Sequence, residues 1–319
     1  MIETPYIPFD TVFVVGGTHG NERTGVTLVQ HWLQNPAEVQ RQTFTTELLL
    51  GNPEAIQKNV RFIDRDLNRS FLSQYIDGKT AKTLETARAR EISATLQSGH
   101  AGKRTFAIDL HTTTAHMGIT LITNTDPVNL AIAADVQKRL PDARIYCFAD
   151  SDRINSCLRA AADGGLGVEI GPIPQGVVRH DTLEITAGVV QEILDTLETF
   201  NQSRFSLPDP DLPVYLHDRH MLYPETPAET APFFIHRALE ARDYQPLAPG
   251  HPIFQDLNDQ VVCYEGGDTG YPVFINEAAY YYENIAFSLT RKMPLASLLA
   301  NRLERVPLPR EEARPCRKR

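Results

Sequence analysis

From Thr11 to about Asn201 the chain alternates short apolar runs with longer stretches whose apolar positions recur at helical spacing. Thr11-Val12-Phe13-Val14-Val15 is continuous and rich in β-branched and aromatic residues, the pattern of a strand buried on both faces of a parallel sheet. After Gly16 and Gly17, Thr24 or Gly25 opens an amphipathic helix over Val26 to Leu33. Residues 43–50 predict a second strand, with Asn52 as cap and Pro53 as first residue of the short helix that follows. Further helices are predicted over 79–98, 127–140 and 154–162, and a long one capped by Asp181 runs to about Asn201. Strands are predicted at 105–111, 118–123, 144–148 and 165–172. Such alternation predicts an α/β fold, a mostly parallel, mixed sheet with helices on both faces.

The pattern breaks at Leu207-Pro208-Asp209-Pro210-Asp211-Leu212-Pro213, where three prolines in seven residues predict a linker. Strand candidates at 233–236, 261–264 and 271–275 then lie among prolines and glycines, predicting a smaller β-rich domain. The expected organisation is one domain over 1–206, a second over 207–301 and a mobile tail over 302–319, where seven basic side chains accompany three acidic ones and three prolines.

With 319 residues, 42% of them apolar, the chain is long enough for two cores or for one large core with an appendage. Forty acidic against 31 basic side chains give a formal charge of −9, which speaks against nucleic acid as a partner. The N-terminal MIETPYIPFD has neither a basic segment nor an apolar stretch of signal length. No run of about 18 apolar residues occurs, so a soluble, cytoplasmic protein without membrane contact is expected. Cys147, Cys157, Cys263 and Cys316 are too widely spaced for a CxxC pair and are expected to be reduced. Self-association is left open.

Candidate chemistry centres on GGTHGNE, residues 16–22, which places His19 and Glu22 just beyond a predicted strand. Ligands of open α/β sheets gather there, and Gly16, Gly17 and Gly20 leave room for a turn that side chains would block. His-x-x-Glu alone is a weak signal, since a loop histidine is more often a solvated surface group. His111 strengthens it by ending another apolar strand, and together the three would leave one position of a zinc ion open for water. Asp109 shares the strand face of His111 and is a candidate partner for the second nitrogen of a ligating histidine. Glu169, inside the apolar segment Gly167 to Gly171, is a costly residue to bury unless it is paired or used, and suits a general base and acid. Residues 60–71 hold three arginines, two aspartates and an asparagine. Arg61, Asn68 and Arg69 in that loop could meet a substrate carboxylate and a developing oxyanion, while Arg65 reads as a solubility residue.

GGTHGNERTG (16–25), NPEAIQKNVRFIDRDLNRSF (52–71), DLHTTT (109–114), VEIGPIPQGV (168–177) and YPVFINEAAYY (271–281) closely resemble the aspartoacylases. These are zinc-dependent deacylases of N-acyl amino acids, related in fold to the zinc carboxypeptidases, and the likeness runs from about residue 10 to 290. It implies that 1–206 is the zinc-hydrolase domain, with one zinc on His19, Glu22 and His111. It further implies acid and base work by Glu169, polarisation of the acyl carbonyl by Arg61, and binding of the α-carboxylate by Asn68 and Arg69. Arg159 would take the substrate's side-chain carboxylate, and Tyr280 would reach over from the second domain. Members that prefer N-acetylaspartate carry a tyrosine and a lysine where this chain places Asn155 and Asn284. The expected partner is a small N-acyl amino acid, most directly N-acetyl-L-aspartate. Deacylation of apolar or succinylated amino acids, and a non-catalytic metal- or anion-binding role, are the alternatives.

Overall fold

The structure is a computed structural model that describes residues 7–78, 82–98, 102–149, 151–204, 208–225 and 232–303. The linker's Leu207 and the tail from residue 304 onward lie outside the described residues. The chain forms β1 (Thr11–Gly16), β2 (Thr45–Leu50), β3 (Thr105–Thr112), β4 (Gly118–Asn124), β5 (Arg144–Phe148) and β6 (Gly164–Gly171). After the prolines come β7 (Pro213–Leu222), β8 (Phe234–Ile235), β9 (Pro252–Gln255), β10 (Val261–Cys263), β11 (Tyr271–Val273) and β12 (Ile285–Pro294).

Nine of these strands make one mixed sheet in the order β11-β12-β7-β5-β4-β6-β3-β1-β2. β2, β1, β3 and β6 run parallel, as do β4, β5 and β7, while β4 meets β6 antiparallel. β1 is buried along its whole length because its alternate residues serve two layers. Val12 and Val14 pack with Val29 and Trp32 of the helix Arg23–Gln34 and with the helices Pro127–Arg139 and His180–Asn201. Phe13 and Val15 pack on the other side with Ala89, Ile92 and Leu96 of the helix Leu84–Ser98. β8, β9 and β10 form a separate antiparallel sheet over Ile253, Phe254, Tyr264 and Phe287.

Several local expectations are corrected. The predicted helix over 154–162 is two short turns, Ser151–Asn155 and Leu158–Ala161. The chain extends at Cys157, and the Leu158 N–H donates to the Asn68 side chain at 2.9 Å instead of to a helical carbonyl. Asp181 sits in the first turn of its helix rather than at the cap, which is Arg179, and pairs with the Arg179 guanidinium at 2.5 Å. The first helix opens at Arg23, a residue earlier than expected. β7 and β12, each ten residues long, and the helix Leu295–Leu303 have no counterpart in the sequence reading. They join the large sheet or its core: Val214, Leu216, Leu295 and Leu298 pack in the same cluster as Val12, while Phe287 and Leu289 of β12 pack beneath the small sheet.

Candidate active site

The turn after β1 carries the site because its glycines let the backbone close up. Gly17 adopts φ +74°, and a Cβ on Gly20 would stand 2.1 Å from the carbonyl carbon of Ala55. His19 and Glu22 are delivered to the same sheet edge as the end of β3. Glu22 Oε1 lies 2.6 Å from His19 Nδ1, and Glu22 Oε2 lies 2.8 Å from His111 Nδ1. The donor atoms of His19, Glu22 and His111 all fall within 4.8 Å of one another, and all three residues are buried.

Each imidazole is held from behind. His111 Nε2 meets Asp109 Oδ2 at 2.8 Å, as the strand periodicity anticipated, and Asp109 also accepts the Thr18 hydroxyl at 2.6 Å. His19 Nε2 meets Asp66 Oδ1 at 3.0 Å, a partner the sequence reading missed. Its only advance sign was an acidic residue beside Asn68-Arg69 in the polar loop. With both outer nitrogens oriented by carboxylates, both Nδ1 atoms face Glu22, the arrangement a metal-ligating pair of histidines requires.

Charge in the site points the same way. Burial pushes the Glu22 carboxyl up, but the two imidazoles outweigh it and hold the group below the usual carboxylate range. Burial likewise opposes charge on His111, yet Asp109 and Glu22 raise that imidazole well above its ordinary value. Asp66 is lowered, against burial, by His19 and Arg61. Four buried carboxylates, Glu22, Asp66, Asp109 and Glu169, thus surround two histidines and the Arg61 guanidinium. Converging nitrogen and oxygen donors from two imidazoles and a buried carboxylate fit a divalent cation.

Glu169 stands beside this cluster because β3 and β6 register His111 directly against it. Burial raises its pKa well above the usual carboxylate value, Glu22 and Glu277 adding to the effect while His111 and Arg61 oppose it. Arg61 donates to Glu22 Oε1 at 3.0 Å and to Asp66 Oδ2 at 3.1 Å, and its buried Nε has no protein partner. The Asn68 amide donates to Asp109 Oδ2 at 3.2 Å and approaches His111 Nε2 at 3.1 Å, so it braces the cluster. Arg69 and Arg159 line the same cleft, and Arg159 donates to the Ile122 carbonyl at 2.5 Å. Tyr280 is buried in the cleft wall.

Three residues absent from the sequence reading complete the site. Buried Glu85 accepts the backbone N–H groups of Ile63, Asp64 and Arg65 at 2.7, 3.1 and 3.2 Å, fixing the loop that carries Arg61 and Asp66. Glu277 accepts the Thr113 hydroxyl and the Thr114 N–H, the latter at 2.7 Å, tying the Tyr280 segment to the loop after β3. Arg153 also lines the cleft. Two expectations change. Arg65 is a packing residue, stacked 4.1 Å above the Tyr75 ring, rather than one that serves solubility. Asn284 is a left-handed helix cap whose amide donates to the Tyr223 carbonyl at 3.1 Å and does not line the cleft, whereas Asn155 lines an adjoining cavity that shares Arg159 with it.

An open α/β sheet that gathers two histidines and a glutamate at its strand ends, next to a buried glutamate, defines the class of metal-site hydrolases. Residues 8–197 match the succinylglutamate desuccinylase/aspartoacylase catalytic domain, and residues 210–292 match the AstE/AspA barrel-sandwich hybrid domain. A probable aspartoacylase of Trichodesmium erythraeum is 39% identical, the match covering 88% of this chain and 96% of that protein. The human N-acyl-aromatic-L-amino acid amidohydrolase (carboxylate-forming) is also 39% identical, over 91% of this chain and 93% of its own. The crystal structure of murine aminoacylase 3 superposes with a TM-score of 0.82 at 36% identity, covering 90% of this chain and 96% of that one. The chain therefore belongs to the succinylglutamate desuccinylase/aspartoacylase family and is an aspartoacylase-like amidohydrolase. Among the described residues no helix is long and apolar enough to cross a membrane.

Proposed function

We propose that the protein is a zinc-dependent deacylase of N-acyl amino acids, hydrolysing N-acetyl-L-aspartate to L-aspartate and acetate. The observation that carries this reading is the convergence of His19, Glu22 and His111 beside Glu169 in a cleft lined with arginines. Two imidazoles and one carboxylate are the donor set of a catalytic zinc site, with a further position open. Held by His19, Glu22 and His111, a zinc ion would supply Lewis acidity toward the acyl carbonyl and a water whose pKa lies at about 7.

The chain's own residues carry the remaining steps. Glu169 removes a proton from the attacking water and returns it to the amide nitrogen as the C–N bond breaks, so that the amine leaves neutral. Its raised pKa suits a group that must both accept and give a proton. Arg61 offers hydrogen bonds to the acyl oxygen as negative charge builds on it. Arg69 takes the α-carboxylate, with Asn68 joining once its amide releases one of its present partners. Arg159 meets the side-chain carboxylate, and Tyr280 closes the cleft from the C-terminal segment.

A second reading, deacylation of aromatic N-acyl amino acids, draws on the wall formed by Ile122, Tyr146, Phe148, Phe274 and Tyr280. Arg159 separates the two. Its replacement by Leu is expected to damage turnover of acidic substrates far more than that of aromatic ones. For the chemistry itself, Glu169→Gln is expected to keep zinc and lose about 10²–10⁴ in kcat. A zinc-loaded Glu169→Gln enzyme turning over at the wild-type rate removes the proposed mechanism.

A further inference from the structure

The cleft contains a cation to which the family likeness assigns no part. Arg153 is half-buried on the turn Ser151–Asn155, and its backbone carbonyl accepts the Ser156 hydroxyl at 3.0 Å and the Cys157 thiol at 3.1 Å. Its guanidinium lies 5.7 Å from the centroid of the Phe148 ring. Phe148 is fixed in turn against Tyr146 at 4.6 Å and His217 at 5.0 Å, so the surface behind Arg153 is a packed aromatic wall.

Position along the cleft matters. A second cavity adjoins the first and shares Phe148, Arg153, Cys157 and Arg159 with it, but none of the metal cluster. The two arginines therefore stand at the end of the cleft away from His19, Glu22 and His111, where the side chain of a bound amino acid would lie. Among the described residues no carboxylate stands within ion-pair distance of Arg153. Glu283, the carboxylate that acts on it, is exposed and hydrogen-bonded to Tyr282. A half-buried guanidinium that lines the cleft with no carboxylate at ion-pair distance can receive an incoming anion.

We propose that Arg153 is a specificity-determining residue that selects an acidic amino-acid side chain, its guanidinium and that of Arg159 holding the side-chain carboxylate between them. This rests on the deacylase reading above. It also answers the absence of a cation implied by Asn284: charge comes instead from a position two residues before Asn155, on a turn that sequence pattern placed ahead of the predicted helix.

The test compares N-acetyl-L-aspartate with N-acetyl-L-phenylalanine in the zinc-loaded full-length enzyme and its Arg153→Met and Arg153→Lys variants. Arg153→Met is expected to lower kcat/KM for the aspartate substrate about 10- to 100-fold, mainly through KM, as loss of a charged hydrogen bond implies. The phenylalanine substrate is expected to stay within about threefold, and Arg153→Lys to recover part of the loss. Equal losses on both substrates, no loss on either, or a wild-type preference for phenylalanine overturns the proposal. Should Arg153→Met fail to fold, Arg153→Lys and Arg153→Gln carry the same comparison. Failure of the wild-type enzyme on both substrates and on a wider panel of N-acyl amino acids defeats the deacylase reading itself. Hydrolysis that is indifferent to Arg153 defeats only the selection role.

Discussion

Each imidazole of the metal cluster has a carboxylate on the nitrogen that faces away from Glu22: Asp66 on His19 and Asp109 on His111. Removing the charge of either loosens the ring and lowers its basicity, so Asp66→Asn is expected to weaken zinc binding about 10- to 100-fold. Competition with a chromophoric chelator measures this, and an unchanged affinity contradicts it. Asp109 was legible because a period of two along β3 puts it on the face of His111. Asp66 was not, since it lies 47 positions from His19 on a loop without periodicity. Arg153 was hidden for a similar reason: nothing in the spacing says that the chain breaks at Cys157 and turns that side of the segment toward the cleft. His19, Glu22, His111 and Glu169 were readable because each ends, or nearly ends, an apolar strand, and a parallel sheet brings strand ends together.

Among the elements, the loops at the sheet edge are held by buried carboxylates rather than by apolar packing alone. Glu85 secures the Arg61 loop, Glu277 secures the Tyr280 segment, and Asp243 accepts the N–H groups of Ile275 at 3.1 Å and His116 at 3.2 Å. Burial raises the pKa of Asp243 from 3.8 to about 6, because its backbone donors do not offset desolvation. A carboxyl with a raised folded-state pKa favours the fold while protonated, and that contribution is lost as pH rises from about 4 through 6. The loss is on the order of 2–3 kcal/mol. Asp243→Asn cannot ionise, so its denaturant stability is expected to gain on the wild type by about that amount between pH 4 and 7. Parallel stability curves count against this account. The strands of the first part of the sheet were legible because burial on both faces leaves continuous apolar runs. β7 and β12 were not, since each turns polar and exposed along part of its length, as in His217-Asp218-Arg219 and Arg291-Lys292.

At the scale of the molecule, the proline-rich segment does not divide the large sheet. β7 enters it beside β5, β12 and β11 follow, and the helix Leu295–Leu303 returns Leu295 and Leu298 to the core of the first part. Residues on both sides of the prolines also form the aromatic cluster around Tyr146, Phe274 and Tyr280 that walls the cleft. Thermal unfolding is therefore expected to be a single cooperative transition that removes the cleft with the core. Two well-separated transitions, one leaving the His19 to Glu169 segment intact, contradict that picture. The proposed chemistry depends most on one metal ion at the junction of β1, β3 and β6. Chelator-stripped protein should be titrated with zinc while acetate release from N-acetyl-L-aspartate is followed beside the same titration of His19→Ala. The expected result is activity that rises to a plateau at one zinc per folded wild-type chain and stays absent in the folded variant. Full hydrolysis by the metal-free wild-type chain contradicts it.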